Sequence, residues 1–326
     1  MTKIFERRAN EPLLRALEPG GFAHLLVDYA QSGMYGFDLQ FRRGSGSHHA
    51  TLYVGTTKAL DLHANTAGKY KLAVHTSYAQ KKLLWHPSWT SWHTEAQIVE
   101  EWPSIEQFLD RVIGHIAEQG THLKEGVVQA AVMRSPLSPF TTIDREVAIS
   151  YSNQPEKDRA LRASSKPWLD AGFKENAPAW WNSSRPTKPS TECDILGLSR
   201  RGQLLAIEIK PASAGAAKIA WAPLQARQYA TQIQSWVDEK GDTAAENLSE
   251  LMRQQQRIGM RRSGALPRID LSKPVRPVVV VDSRLGAQAR ARMFEVIEHL
   301  RETGMDPGVE VRLTNVIGRL TDPITE

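Results

Sequence analysis

Two apolar runs on either side of a short polar turn constrain the fold of this chain more than any other stretch. The first run ends at Leu198, the turn comprises residues 199–203, and the second run extends from Leu204 to Pro211. Apolar runs of this length around a glycine-containing turn are typical of a β-hairpin. Because both faces of each run are apolar, we expect the strands to lie in the interior of a sheet.

Three charged residues interrupt this apolar hairpin: Asp194 opens the first strand, and Glu208 and Lys210 close the second. A three-residue loop, with Gly202 in the left-handed conformation, places Asp194 opposite Glu208 and on the same face as Lys210. A two-residue loop would put the two acids on opposite faces. We predict the three-residue loop.

Two carboxylates and a lysine on one face at a strand end are suited to phosphodiester hydrolysis. The carboxylates can bind a hard divalent cation, which acidifies a bound water and stabilises charge on the phosphate. The lysine can position that water or neutralise developing negative charge. The alternative is a salt-bridge cluster, or an ordinary solvated strand edge, without catalytic function.

Asp194, thirteen intervening residues and then Glu208-Ile209-Lys210 after an apolar run resemble the core motif of the PD-(D/E)XK nuclease superfamily. Cys193 stands where the name of the motif has Pro, but the first motif of this superfamily is often reduced to its Asp. The resemblance covers roughly residues 140–315. It implies catalytic roles for Asp194, Glu208 and Lys210, and a Mg²⁺ or Mn²⁺ ion held by Asp194, Glu208 and the Ile209 carbonyl.

Another acid is often supplied by an upstream helix in this superfamily. Glu146, in the segment Ile143-Asp144-Arg145-Glu146-Val147-Ala148, is the best match, and we expect this segment to be helical. Asp144 and Glu156 are its rivals.

Residues for nucleic-acid binding are expected on a helix and on basic segments. The helix that opens at Pro223 resembles the Gln-bearing helix that follows the lysine in many members, which makes Gln225 and Gln228 candidates. Arg185, Lys188 and the hairpin-turn residue Arg201 can contact phosphates. The alternatives are glutamines on an ordinary helix surface and cations that keep a loop soluble.

The chain of 326 residues predicts two domains, 1–136 and 140–326, with a Pro-rich boundary at residues 135–139. The first is expected to be an α+β domain containing a four-stranded antiparallel meander between residues 37 and 75, with a role in target or partner recognition. In the second, residues 152–190 are predicted to be mainly a long loop, with one short helix from Glu156 to Ala163. Alternating strands and helices after the hairpin predict an α/β, restriction-endonuclease-like mixed sheet flanked by helices, so the chain is α+β overall.

Composition limits the classes of function. Hydrophobic residues make up 41% of the chain, charged residues 24%, and the net charge of +5 is compatible with nucleic acid. A single cysteine and the lack of an apolar run near about 18 residues indicate a cytoplasmic, non-membrane protein. The histidines show no metal-ligand spacing. Trp85, Trp89 and Trp92 are better explained as core or interface residues than as base-stacking residues.

Two functional hypotheses follow. The first is a metal-dependent nuclease, with DNA as the expected substrate, in a role such as prokaryotic or phage-related antiviral defence that the superfamily's habits suggest. The second is a non-catalytic nucleic-acid-binding or assembly protein on the same scaffold. The sequence does not decide whether the substrate is DNA or RNA, or whether cleavage is endonucleolytic or exonucleolytic. It also does not decide whether the chain forms a homo-oligomer or joins a partner protein in a larger complex.

Overall fold

The computed structural model describes residues 3–5, 7–32, 34–44, 47–119, 123–135, 138–315 and 317–324. In this part the α-helices are α1 (Glu11–Leu17), α2 (Leu25–Ser32), α3 (Glu95–Gln119), α4 (Leu123–Arg134), α5 (Gln154–Ala171), α6 (Ala179–Ser184), α7 (Ala216–Ala220), α8 (Ala222–Lys240), α9 (Asp242–Arg257) and α10 (Ala287–Glu302). The strands are β1 (Lys3–Ile4), β2 (Asp38–Gly44), β3 (Ser47–Val54), β4 (Thr57–Ala64), β5 (Tyr70–Ala73), β6 (Phe140–Val147), β7 (Ser150–Tyr151), β8 (Cys193–Ser199), β9 (Leu204–Lys210), β10 (Arg276–Asp282) and β11 (Glu310–Thr314). No helix of the described ranges is both long and apolar enough to cross a membrane.

The chain forms two compact units. The hairpin unit comprises Met1–Phe5, Ala131–Glu246 and Pro267–Glu326, and the meander unit comprises Glu6–Ala130 and Asn247–Leu266. Pro136, at the predicted domain boundary, and its neighbour Leu137 lie outside the described residues.

Most of α9 groups with the meander unit, although the sequence analysis assigns it to the second domain. Gln254 forms two hydrogen bonds with the backbone of Ala9, accepting from its N–H at 2.8 Å and donating to its carbonyl at 3.2 Å. Arg257 forms ion pairs with Glu11, at 2.7 Å, and with Glu18. These contacts connect residues more than 200 positions apart, so local sequence patterns do not reveal them.

The hairpin unit contains the predicted mixed sheet flanked by helices. Its strand order is β11-β10-β9-β8-β6; β6, β8 and β9 are antiparallel to one another in turn, whereas β9, β10 and β11 are parallel. Residues 278–281 are four buried valines, as expected for a strand covered on both faces. One face packs on α7, α8 and α10 through Ile219, Ala226 and Met293.

Two sequence-based predictions in this unit are wrong. The segment around Glu146 is the strand β6 rather than a helix, consistent with its β-branched residues Thr141, Thr142, Ile143 and Val147. Residues 152–190 are not mainly a loop, because they contain α5 and α6. Asn153 caps α5 by accepting a hydrogen bond from the Glu156 N–H at 3.0 Å, and the helix continues through Pro167.

The meander unit contains the predicted antiparallel sheet, with strand order β2-β3-β4-β5. The apolar stripe of α3 includes Phe108, whose ring lies 5.1 Å from that of Trp85 and 6.1 Å from that of Trp89. These two tryptophans are buried, which confirms their assignment to the core. Trp92 is 38% exposed, and Lys71 lies 4.8 Å from the centre of its ring.

Two histidines lie face to face in this sheet. His49 on β3 pairs with His63 on β4, and their rings stack with centres 4.5 Å apart. The neighbouring Asp61 carboxylate accepts hydrogen bonds from Thr51 at 2.7 Å and from Lys58 at 2.6 Å. Burial lowers the pKa of His49 to about 4 and also lowers the pKa of His63.

The lowered pKa values predict that acid destabilises the meander unit. Between an ordinary value of 6.5 and a folded-state value of about 4 for His49, the unfolded chain binds more protons than the folded chain. Stability should therefore fall as the pH falls through this range. His49→Gln should reduce the pH dependence, measured by urea denaturation together with hydrogen exchange of β3 and β4, whereas the exposed-site control His86→Gln should not. An unchanged slope for His49→Gln would contradict the prediction.

Candidate active site at the end of the hairpin

The register of the hairpin is the one predicted. Ile195 pairs with Ile207, and the Ser199 N–H donates to the Gln203 carbonyl at 2.9 Å. Gly202 has a φ of +79°, and a Cβ at this position would lie 2.6 Å from the Arg268 carbonyl oxygen. A left-handed conformation with so little space requires glycine, which fixes the loop length and hence the register.

This register brings Asp194 next to the second strand. Regular pairing of β8 with β9 reaches Ile195 and Ile207, one position short of Asp194 and Glu208. At that point the Asp194 carboxylate accepts a hydrogen bond of 2.6 Å from the Ile209 N–H. Asp194 is only 8% exposed, so this contact holds a buried carboxylate at the end of the strand pair.

Glu208 and Lys210 share the predicted face of β9 and contact each other. Their side chains form a close ion pair, with Glu208 2% and Lys210 13% exposed. The carboxylate is thus buried, whereas the ammonium group lies nearer the surface. A charge pair in such surroundings interacts more strongly than on an open surface, but each ion also loses hydration.

Apolar residues form a wall beside this pair. In the parallel neighbour β10, Val279 lies beside Glu208 and Val281 beside Lys210. Both valines are fully buried in the cluster that includes Ala226 of α8. The wall keeps water from one side of the charges, which strengthens electrostatic interactions at the site.

Backbone geometry adds one oxygen to the two carboxylates. The Ile209 N–H points toward Asp194, and in a strand the carbonyl of a residue points to the same side as its N–H. Asp194, Glu208 and the Ile209 carbonyl therefore belong to one strand end. The described ranges contain no group of three or more His, Cys, Asp or Glu side chains that could hold a metal ion. The donor set here is smaller, and Mg²⁺ is commonly bound through one or two carboxylates while it keeps several waters.

The upstream acids occupy β6, which pairs with β8. Asp144 lies opposite Leu196 and therefore on the face that also carries Asp194 two residues earlier; it is 2% exposed. Glu146 is half-buried, and its φ of +49° removes it from the regular alternation of side chains along the strand. Glu156 lies in the first turn of α5. The same register, with Arg145 opposite Ile195 and Val147 opposite Cys193, places Glu146 across from Asp194, so Asp144 and Glu146 are both candidates for the additional acid.

Tyr229 and Cys193 lie in the electrostatic field of the same carboxylates. Burial first, and then the charges of Glu208 and Asp194, raise the pKa of Tyr229 far above its usual value. Burial, followed by the same two charges, also raises the pKa of the Cys193 thiol. Both groups therefore remain protonated, and Cys193 donates to the Ile195 carbonyl at 3.3 Å instead of acting as a thiolate ligand.

Two glutamines of α8 hold the segment that leads into β8. Gln228 Oε1 accepts from the Ser190 N–H at 3.0 Å, and Gln232 Nε2 donates to the Ser190 carbonyl at 2.8 Å. Gln228 is fully buried and its Oε1 holds this segment, while its role in nucleic-acid binding stays a prediction. The sequence analysis missed Gln232, although its spacing of four residues from Gln228 places both on one helix face.

The other candidates for nucleic-acid binding are dispersed. Gln225 is half-buried in the first turns of α8, and Lys188 is exposed. Arg185 donates to the Leu169 carbonyl at 2.9 Å. Arg201 is exposed in the hairpin turn, about 17 Å along the strand from the Asp194 end. The structure therefore brings together Asp194, Glu208, Ile209 and Lys210.

Comparison of the chain with protein families, curated proteins and solved structures finds no match. What the site can do must therefore be inferred from its own geometry and chemistry.

The buried ion pair predicts a non-additive pattern of stability. Lys210→Met should destabilise the protein by about 3–5 kcal/mol, because Glu208 keeps its buried charge but loses its ion-pair partner. The double variant Glu208→Gln/Lys210→Met should lose about 1–3 kcal/mol less stability than the two single variants lose in total. Urea denaturation measures the free energy of unfolding of the two single variants and of the double variant.

Lys166→Met is the control for this cycle. The Lys166–Asp170 pair is exposed on both sides, at 63% and 61%, so its loss should change stability by less than about 1 kcal/mol. Additive effects of the Glu208 and Lys210 changes would contradict a coupled buried pair.

Proposed function

We propose that this protein is a divalent-metal-dependent nuclease of the PD-(D/E)XK superfamily that hydrolyses phosphodiester bonds, with DNA as its substrate. The observation that carries the proposal is the hairpin register, which puts the buried acids Asp194 and Glu208 on the face of Lys210 at one strand end. Structural ion pairs seldom require a second buried carboxylate beside the first, because like charges repel. A cation between the carboxylates would remove that repulsion.

Asp194, Glu208 and the Ile209 carbonyl are the groups that would hold Mg²⁺ or Mn²⁺. Such an ion supplies an acidified water and stabilises negative charge on the phosphate. The further acid is Glu146, which the sequence predicts and the register places across from Asp194, or Asp144 on the face of Asp194. These groups fit the ion because they offer hard oxygen donors, which are the donors that Mg²⁺ prefers.

Lys210 contributes a cation at the more exposed side of the same face. In this structure its ammonium group is held by Glu208, which fixes the position of the lysine. From there it neutralises charge that develops on a bound phosphate or orients the attacking water. The valine wall and the buried Tyr229 limit access of bulk water from the helix side.

The second candidate is a non-catalytic nucleic-acid-binding or assembly protein. It is favoured by one observation, namely that Glu208 and Lys210 already satisfy each other as an ion pair. On this hypothesis the pair stabilises the end of β9, and no specific cation is bound. In either case we place the protein in the cytoplasm, in line with its single buried thiol, and assign target or partner recognition to the meander unit.

Metal-dependent cleavage is the direct test of the nuclease. The purified protein should cut linear, circular or single-stranded DNA, or RNA, with Mg²⁺ or Mn²⁺ but not with EDTA. Asp194→Asn, Glu208→Gln and Lys210→Met should each lower the rate by about 100-fold or more, because each removes a group that stabilises the transition state. Cleavage products are measured on gels over time.

Two conservative changes serve as matched controls. Glu192→Gln alters an exposed acid two residues before Asp194, and Lys218→Met alters an exposed lysine beyond β9; both should keep the wild-type rate. Absence of cleavage together with absence of Mg²⁺-dependent thermal stabilisation would reject the nuclease in favour of the non-catalytic scaffold.

A further inference from the structure

Aromatic rings with cations over them cluster on the hairpin unit, on the segment that precedes the candidate site. Phe173 is 58% exposed, and the Arg185 guanidinium lies 5.7 Å from its ring centre. Trp180 is half-buried, and the Arg292 guanidinium lies 4.6 Å from its ring. We call these four residues the stacking patch.

The stacking patch rests on a rigid base. Trp181 is fully buried, lies 5.3 Å from Trp180 between ring centres, and donates to the Gly172 carbonyl at 3.0 Å. His299 forms a hydrogen bond of 3.0 Å with the Phe173 carbonyl and packs edge-on against Trp181. Phe173 and Trp180 are therefore held at the surface by a packed core and are not on a free loop.

The patch carries positive charge. Lys174 lies 5.0 Å from the Trp181 ring, but its charge is offset by Glu295 at 3.6 Å. Neither Arg185 nor Arg292 forms an ion pair with a carboxylate among the described residues.

Exposed ring faces and uncompensated guanidinium groups match the two parts of an unpaired nucleic-acid strand. A base can stack on an aromatic ring or a guanidinium plane, and a phosphate can bind the cation beside it. In a duplex the base faces are hidden by neighbouring bases, so only the phosphates remain accessible. Exposed aromatic rings are therefore suited to unpaired strands rather than to duplexes.

We propose that the stacking patch binds an unpaired strand, so that the substrate of the nuclease proposed above is a single strand or a single-stranded end. This inference rests on the proposed function. The chain between Arg185 and Asp194 spans nine residues, which limits their separation to about 30 Å.

The chain also connects the patch to the candidate site. The segment from the patch to β8 includes Ser190, which Gln228 and Gln232 hold in place. Ser184 at the end of α6 accepts a hydrogen bond of 3.0 Å from Trp221, the residue before α8. The N-cap of α8 and two of its glutamines thus hold both ends of the connection between the patch and β8.

Binding without catalysis tests the proposal. Labelled DNA and RNA single strands of roughly 20 nucleotides, longer than a typical single-strand site, are compared with a DNA duplex by fluorescence anisotropy in EDTA. The wild-type protein should bind the single strands more tightly than the duplex. Phe173→Ala and Trp180→Ala should each weaken single-strand binding by about ten-fold or more, with little effect on duplex binding, whereas Arg292→Gln should weaken both.

Matched variants separate stacking from apolar contact and from misfolding. Phe173→Trp keeps a flat ring and should bind like the wild type, whereas Phe173→Leu should bind like Phe173→Ala. Tyr35→Ala removes an exposed aromatic ring in the meander unit and should have no effect. Urea denaturation midpoints identify any variant that is unfolded.

The outcomes separate this inference from the proposed function. The exposed-site control Glu192→Gln should keep single-strand binding in EDTA. Equal affinity for single strand and duplex, or wild-type binding by Phe173→Ala and Trp180→Ala, overturns the stacking patch even if metal-dependent cleavage is observed. Selective single-strand binding through the patch without any cleavage supports the patch and counts against the nuclease.

Discussion

The hydrogen bond from the Ile209 N–H to the Asp194 carboxylate joins the two strands at the point where their regular pairing stops. Without it, a buried carboxylate would lose a donor, at a cost of about 1–3 kcal/mol, and the strand ends would be free to separate. This contact exists only in one register, and that register depends on Gly202 at the other end of the hairpin. The position of the acids is thus set by a turn about 17 Å away.

The site depends equally on α8. This helix contributes the apolar surface beside Val279 and Val281, the buried Tyr229 near both carboxylates, and the two glutamines that hold the Ser190 backbone. One element therefore packs the core, shields the charges and positions the segment that enters β8. In this arrangement the burial that stabilises the fold also concentrates negative charge. The metal ion in our proposal is the group that balances it.

Much of the hairpin and of the candidate site was predictable from the sequence, because it depends on local chemistry. The loop length followed from a polar turn with glycine, and the shared face of Asp194, Glu208 and Lys210 followed from strand alternation. Non-local contacts were not predictable in this way. Whether the segment around Glu146 is helix or strand depends on pairing with β8, and the roles of Gln228 and Gln232 depend on a partner about 40 positions earlier in the chain. The predicted helix stopped at Ala163, before Pro167, whereas α5 continues through this proline to Ala171.

The central claim is that the strand end binds a divalent cation, and the most direct measurement is the position of Mn²⁺ in crystals by anomalous diffraction. Our account predicts a peak within about 2–2.6 Å of oxygen atoms from Asp194, Glu208 and the Ile209 carbonyl. The peak should disappear in Glu208→Gln crystals. Soaked wild-type crystals that show no peak at this position, with Glu208 still bound only to Lys210, would contradict the claim and identify the three charges as a structural cluster.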